Sequence, residues 1–419
     1  MRNLSFVEKL LDGFEVEWKP LGQLGEFIRG NGLQKKDFVD NGFPAIHYGQ
    51  IYTKYGLSAD KTFTFVSNEL AVKLKKAIKN DLLLATTSEN DEDVVKPLAW
   101  LGEQAAISGD MMLFRHSENV KYLAYCFQTN AFQEQKRKYI TGAKVRRVSS
   151  GDLAKVEVPI PCPDNPEKSL AIQAEIVRIL DAFTAMTAEL TAELTAELNM
   201  RKKQYNYYRD KLFAGSGSKS EKLGEISKIY LGLTYTPKYV EKGVKFISAK
   251  NTSKDFLDLT DTKYISKEEY SNSTSNAKPK RGDVLFTRVG SNLGHPVIVE
   301  TDEPLCMFVS LGYIRVNPAK VLNSYIKHWM NTALFWDQVE KHTYGAAKVN
   351  LNTGWLNKFD VLLPSLEEQA RIVEILDKFE VLTTSIQEGL PREIELRQKQ
   401  YEYYRDLLLS FPKSTEGAV

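Results

Sequence analysis

"AIQAEIVRILDAF", Ala171 to Phe183, returns as "EEQARIVEILDKF", Glu367 to Phe379. "KKQYNYYRDKL" (Lys202–Leu212) returns as "QKQYEYYRDLL" (Gln398–Leu408), and both pairs share one offset, 196 residues (171 to 367, 202 to 398). Two separated blocks with one offset mean a duplication, and a duplication is the first thing a fold reading must respect. Fainter matches continue upstream. "PLGQLGEF" at Pro20 answers "KLGEISKI" at Lys222, and "NDLLLATTSEN" at Asn80 answers "GDVLFTRVGSN" at Gly282. "GAKVRRVSSGDLAKVEVPIP", ending at Pro161, answers "AAKVNLNTGWLNKFDVLLP", ending at Pro364; "CPDNPEK" after Pro161 accounts for the changed offset. The chain reads as variable half, constant helix, variable half, constant helix. "EKLLDG" at Glu8 also matches "DKLFAG" at Asp210, so the chain opens on a fragment of the element that closes each repeat. That ring-like layout predicts termini that lie close together.

The variable halves hold short β-rich runs, such as "DVLFTRV" and "VKFISA", between Gly, Asn, Lys and Pro punctuation, and each has a helical patch. They read as α+β domains. In the constant segments Ile172, Ile176, Ile179, Phe183, Met186 and Leu190 step by three and four, a coiled-coil seam. Ile372, Leu376, Phe379, Leu382 and Ile386 repeat it, until Gly389 and Pro391 in "EGLP" break the helix. Helix one leaves the first domain for the second, and helix two returns. The expected fold is therefore α+β, two heads separated by a long antiparallel two-helix coiled coil with an internal pseudo-two-fold repeat. The segments fall at 1–165, 166–215, 216–364 and 365–419. Each helical segment is about 60 Å long at about 1.5 Å per residue.

Thr187 to Leu198 is one tetrapeptide three times over, "TAELTAELTAEL". Each copy adds about 6 Å of helix and about 40° of net rotation; a DNA base pair brings about 3.4 Å and about 35°. The rotations nearly match and the rises do not. Thr187, Leu190, Leu194 and Leu198 are read as a spacer whose length sets the gap between two half-sites. A good helix former with no such role is the plainer reading.

A net charge of +2 over 419 residues announces no global polyanion field, so any nucleic-acid site must be local. Cys126, Cys162 and Cys306 stand far apart, and with five scattered histidines they give no metal spacing and suit a reducing compartment. The start is too charged for a signal peptide and no apolar run reaches membrane-spanning length, so the cytoplasm is expected.

At the duplicated blocks, at "TAELTAELTAEL" and "EGLPREIELRQKQYEYYRDLL", and at "IHYGQIY" (Ile46), "RGDVLFTRVGSNLG" (Arg281) and "PIPCPDNPEKSLAIQ" (Pro159), the chain resembles the specificity subunits of type I restriction–modification enzymes. The resemblance covers essentially the whole chain. It implies a non-catalytic, DNA-binding subunit whose halves are target-recognition domains for a split, asymmetric sequence. It also implies two methyltransferase subunits carrying S-adenosylmethionine and two restriction or motor subunits using ATP and Mg²⁺, with no cofactor on this chain.

An enzyme reading lacks its residues. "VNPAK" at Val316 has one proline where an adenine methyltransferase needs two, and "AGSGSKSEK" has Ser218 where a phosphate loop needs glycine before lysine. "PDNPEK" at Pro163 lacks a nuclease's carboxylate spacing. A coiled-coil adaptor that binds proteins alone is the other alternative.

For DNA contact the first half offers Lys136, Lys138, Lys144, Arg146 and Arg147 in "KRKYITGAKVRR", then His47, Tyr48, Gln50 and Lys54, then Thr87 and Ser88. The second half offers Lys348, Asn350 and Asn352, then Lys250 and Asn251, then Arg288 and Ser291. Basic side chains suit phosphates, and carboxamides suit adenine edges. Each is also readable as loop scaffolding. Tyr205, Tyr208 and Arg209, repeated as Tyr401, Tyr404 and Arg405, either dock two copies of a partner or pack the rod. His328 reads as a packed helix residue.

Overall fold

A computed structural model describes residue 11 and residues 13–215, 219–290, 292–343, 350–384 and 389–411. Two compact units emerge, Met1–Thr191 with Leu396–Val419, and Ala192–Glu395.

In the first unit a two-stranded ladder joins Val16–Pro20 to Glu157–Pro161 and ties the start of the head to its end. Two five-stranded sheets lie between. One runs Gly25–Arg29, Met111–His116, Leu82–Ala85, Lys96–Trp100, Ser58–Ala59; the other runs Phe38–Val39, Thr64–Val66, Phe43–Ile46, Ala105–Ile107, Lys76–Ala77. The strand "LLLA" explains how the layers stack. Its side chains alternate between faces. Leu82 and Leu84 enter a core shared with helices, while Leu83 and Ala85 enter a second core with Ile46, Ile51 and Trp100. Each fully buried leucine contributes roughly 2 kcal/mol. Among its helices are α1 (Tyr48–Thr53), α2 (Val120–Gln128), α3 (Asn130–Arg137) and α4 (Pro166–Ala214), the last belonging from Ala192 onward to the second unit.

The second unit repeats the plan. Lys219–Lys222 pairs with Asp360–Leu363, and two four-stranded sheets follow, the first centred on Leu311–Val316 and Val284–Thr287. Val284 and Phe286 face one core, Leu285 the other. Among its helices are α5 (Asn323–Trp329), α6 (Ala333–Thr343), α7 (Leu366–Thr384) and α8 (Leu390–Leu408), the last belonging from Leu396 onward to the first unit.

The expected helical patch of each half is two helices, and the break has one cause. Thr129 Oγ1 donates to the Cys126 carbonyl (2.7 Å) and accepts from the Phe132 amide (3.3 Å). Thr332 does the same to Trp329 (2.6 Å) and Phe335 (3.3 Å). The hydroxyl caps the second helix while ending the first.

The proposed coiled-coil seam is corrected in detail. Ile172, Gln173, Ile176, Val177 and Leu180 are buried against the first head, whereas Met186 is 66% exposed. Over this stretch the helix presents the wide stripe of one docked on a globular core, while Phe183 and Thr184 farther along meet Tyr404 and Tyr401 of α8. Gly389 has φ +85°, and a Cβ there would lie 2.6 Å from the Val381 carbonyl oxygen. Only glycine suits that turn. Ile386 lies outside the described residues. Leu11 and Phe411, near the two ends of the chain, pack on one core, as the ring-like layout requires.

Both units use one buried ion pair. Asp81 receives Arg115 through two nitrogens (3.0 and 2.8 Å) and Asp283 receives Arg315 likewise (2.8 and 2.6 Å). His116 follows Arg115, and burial pulls its pKa down to about 4 against the weaker opposing pull of Asp81. The unfolded chain takes up this proton near pH 6.5, the folded chain only near pH 4. Stability is thus complete above about pH 6.5 and falls on acidification, by about 3 kcal/mol at the limit for this group. Val316 holds the matching position in the second unit. His116→Val should therefore flatten the urea midpoint between pH 7 and pH 4.5 relative to the parent chain.

Candidate nucleic-acid interface

Three sequence segments of the first half converge. Thr87–Ser88 pairs with Arg146–Arg147 as a short antiparallel ladder. Tyr52 on α1 shares its hydroxyl proton between the carbonyls of Ala85 (3.2 Å) and Thr87 (2.9 Å), and burial raises its phenol pKa. Arg146 Nε lies 2.8 Å from Asp91. The loop after Thr87 is thus clamped from two sides. Tyr52 was missed in the sequence because nothing in "YGQIYT" separates a tyrosine aimed inward from one aimed at solvent.

Lys136 completes the clamp, and its assignment to DNA is corrected. It is fully buried, and its Nζ donates to the carbonyls of Glu92 and Val94, both at 2.9 Å. Burial pushes its pKa down to about 8. It holds the loop from beneath, its ammonium committed to carbonyls of this chain. Gln50 and Asn251 are corrected likewise. Gln50 Oε1 accepts from the His47 amide (2.9 Å) and Asn251 Oδ1 from the Ser248 amide (3.0 Å); both carboxamides are buried. Asn251 Nδ2 also ties down the Asp258 and Asp261 carbonyls at 3.0 and 3.1 Å. His47 caps α1 through Nδ1, and Thr87 is buried in its ladder. What faces solvent is Lys54, Lys138, Lys144 and Arg147, with Tyr48, Ser88 and Arg146 half-buried. Phe63, exposed beside Lys54, was not foreseen.

The second half brings its segments together in the same way. Leu351 donates its amide to the Arg288 carbonyl (3.1 Å), and Arg288 Nε donates to the Leu351 carbonyl (3.2 Å). Thr252 and Thr287 hydroxyls meet at 3.1 Å. Asn352 is exposed but caps the turn Thr353–Leu356, Asn350 is half-buried, and Lys250 pairs with Asp261 at 2.9 Å. Ser291 and Lys348 lie outside the described residues.

The helix tails are anchors first. Tyr401 meets the Thr184 hydroxyl (2.9 Å), which meets Tyr125 (3.1 Å), itself donating to Asp181 (2.8 Å). In the second unit buried His328 takes the place of Tyr125, between Tyr205 (3.2 Å) and Asp377 (2.7 Å). Arg405 pairs with Asp406, whose carboxylate accepts from the Asn130 amide (3.1 Å). Arg209 pairs with Asp210, which accepts from the Ala333 amide (3.3 Å). Each "RD" thus caps the second helix of a head with a negative charge. Tyr205, Tyr401, Arg209 and Arg405 are largely committed inside their own units. Tyr208 and Tyr404 are about half-exposed; Tyr208 stacks on Phe379 and Tyr404 lies tilted against Phe183, with centroids 6.1 Å apart in each pair. His328, Asp377 and Glu380 gather closely enough to suggest a metal, but Lys327 holds Glu380 (2.7 and 2.9 Å) and both ring nitrogens are engaged. Thr187, Leu190, Leu194 and Leu198 are half-buried along α4.

The family description "Type I restriction modification DNA specificity domain" matches this chain twice, over residues 15–200 and 216–396. The chain belongs to the type I restriction–modification specificity subunits. It is 38% identical over 431 aligned residues to the EcoR124I/EcoR124II specificity subunit of Escherichia coli, covering 99% of this chain and 98% of that one. It is 34% identical to the EcoprrI specificity subunit of Escherichia coli, covering 93% of each, and 32% identical to a putative specificity subunit of Haemophilus influenzae, covering 98% and 99%. Among solved structures, a chain from a type I R-M system studied for complex assembly and conformational transition aligns with a TM-score of 0.68 at 15% identity, covering 94% and 97%. The HsdS subunit of Thermoanaerobacter tengcongensis aligns at 0.52 and 15%, covering 94% and 95%. These two likenesses carry the fold alone. As a specificity subunit the chain is non-catalytic and contains two DNA-recognition domains. Among the described residues no helix is long and apolar enough to cross a membrane.

Proposed function

We propose that this specificity subunit reads double-stranded DNA as a split, asymmetric sequence, one half per unit. The observation that carries the reading is the repeated clamp: two heads built on one plan, presenting unlike side chains from matching loops. Lys138, Lys144 and Arg147 would contact phosphates of the first half-site, with Tyr48, Lys54 and Ser88 alongside. Arg288, Asn350 and Asn352 would serve the second. The helix tails would hold two methyltransferase subunits carrying S-adenosylmethionine, and through them two restriction or motor subunits using ATP and Mg²⁺, in the cytoplasm. The buried Tyr205 and Tyr401 would act by positioning the tails, and the exposed tyrosines beside them by contact.

Filter or fluorescence binding of the methyltransferase-loaded chain to its site tests this. Lys144→Ala with Arg147→Ala should weaken binding uniformly across sequences and lower the slope of log affinity against log salt by about one per side chain. An unchanged salt slope would remove this loop from the interface.

A further inference from the structure

The outer face of each tail carries an apolar stripe. Met200, Tyr207 and Tyr208 on α4, and Leu396, Tyr403, Tyr404 and Leu407 on α8, are all between 42% and 63% exposed. The positions match at the 196-residue offset (200 to 396, 207 to 403, 208 to 404), and their spacing puts them on one side of a helix. The ring geometry is duplicated too. Tyr207 and Tyr208 cross at 73° with centroids 5.3 Å apart; Tyr403 and Tyr404 cross at 69° and 5.4 Å. Beneath each stripe the same "RD" anchor holds the tail to its head. Two copies of one surface, each fixed in the same way, fit two copies of one partner.

Met200 and Leu396 are both apolar, and within the stripe the copies differ in polarity at one point. Leu407 on α8 corresponds to Lys211 on α4, whose Nζ lies 5.7 Å from the centroid of Tyr207. A partner surface that buries the leucine in one copy meets an ammonium in the other. That ammonium must stay solvated, by bending its stem away or by keeping water in the contact. Resting on the proposed docking of methyltransferase subunits, we infer that the two tails bind them unequally: α8 takes the first copy tightly, α4 takes the second weakly, and Lys211 makes the difference.

Native mass spectrometry of the full chain titrated with methyltransferase subunit reads both steps. The parent chain should form a dominant 1:1 complex, with an intrinsic second-step affinity about tenfold weaker, the scale of one leucine side chain taken out of water. Lys211→Leu should strengthen the second step to match the first. Leu407→Lys should abolish the early 1:1 plateau, leaving two weak steps. Thermal melting should be unchanged in both variants, since both side chains are exposed. Equal intrinsic affinities in the parent chain, or a ratio unmoved by Lys211→Leu, would overturn the inference. Tyr207→Ala with Tyr403→Ala is the separate control: if it leaves both steps untouched, the docking reading itself fails, whatever the ranking.

Discussion

A chain lacking Thr195–Leu198 is expected to prefer a DNA gap about one base pair shorter, with both half-sites unchanged. α4 is one continuous helix of 49 residues from Pro166 to Ala214, and the tract lies inside it. Removing four residues withdraws about 6 Å of rise and about 40° of rotation from that helix. The angular change is close to one base pair of twist and the axial change is larger, so the shortened complex must bend its DNA, at a cost of order a few kcal/mol. On the original site the variant should bind about a hundredfold more weakly, because one head no longer meets its bases. Selection from DNA with a randomised gap is the direct measurement; return of the original gap would sink the spacer reading. The tract suits a ruler because Ala188, Glu189, Ala192 and Glu193 are exposed and none of its residues is fully buried. Length can change there with little disturbance of a core.

The second large effect lies in the ion pair at the start of the strand that leads towards Thr87. Asp81→Ala should destabilise the first unit by about 3 kcal/mol, the lower end for breaking a buried pair, because Arg115 keeps some access to water. It strips the guanidinium of its two-nitrogen partner and also leaves the Ile78 amide without its acceptor (2.8 Å). The strand Leu82–Ala85 starts at the next residue and runs straight into Thr87, so the first half-site should lose affinity along with stability. Urea unfolding and half-site binding check the two parts. A loss below about 1 kcal/mol would mean that the pair is a surface contact in disguise.

Repetition made the architecture readable. One offset exposed the heads and the helices, and the chemistry of Gly389 and Pro391 marked the break. The seam misplaced Met186, because steps of three and four fit a helix lying on a domain as well as one lying on another helix. Sequence singled out loops that the fold brings together, and misjudged individual side chains within them. Lys136, Gln50 and Asn251 are polar types in loops that the structure uses inward, for carbonyls and amides supplied by residues far away in the chain. No local pattern separates a lysine serving Glu92 and Val94 from one serving a phosphate. The "RD" anchors could have been found: Asp210 and Asp406 are duplicated as faithfully as the tyrosines before them, and a duplicated acid beside a duplicated base suggests an internal pair.

The mismatch between repeats and compact bodies bears on synthesis. The body that contains the first head is closed by Leu396–Phe411, the last described stretch of the chain, whereas the other body is one unbroken segment, Ala192–Glu395. On a ribosome the second head therefore has all its parts before the first does. Until translation reaches Leu408 and Phe411, the core of the first head lacks these buried members, and the apolar ground they cover stays open to water and to other nascent chains. The half that is made first is the half that matures last.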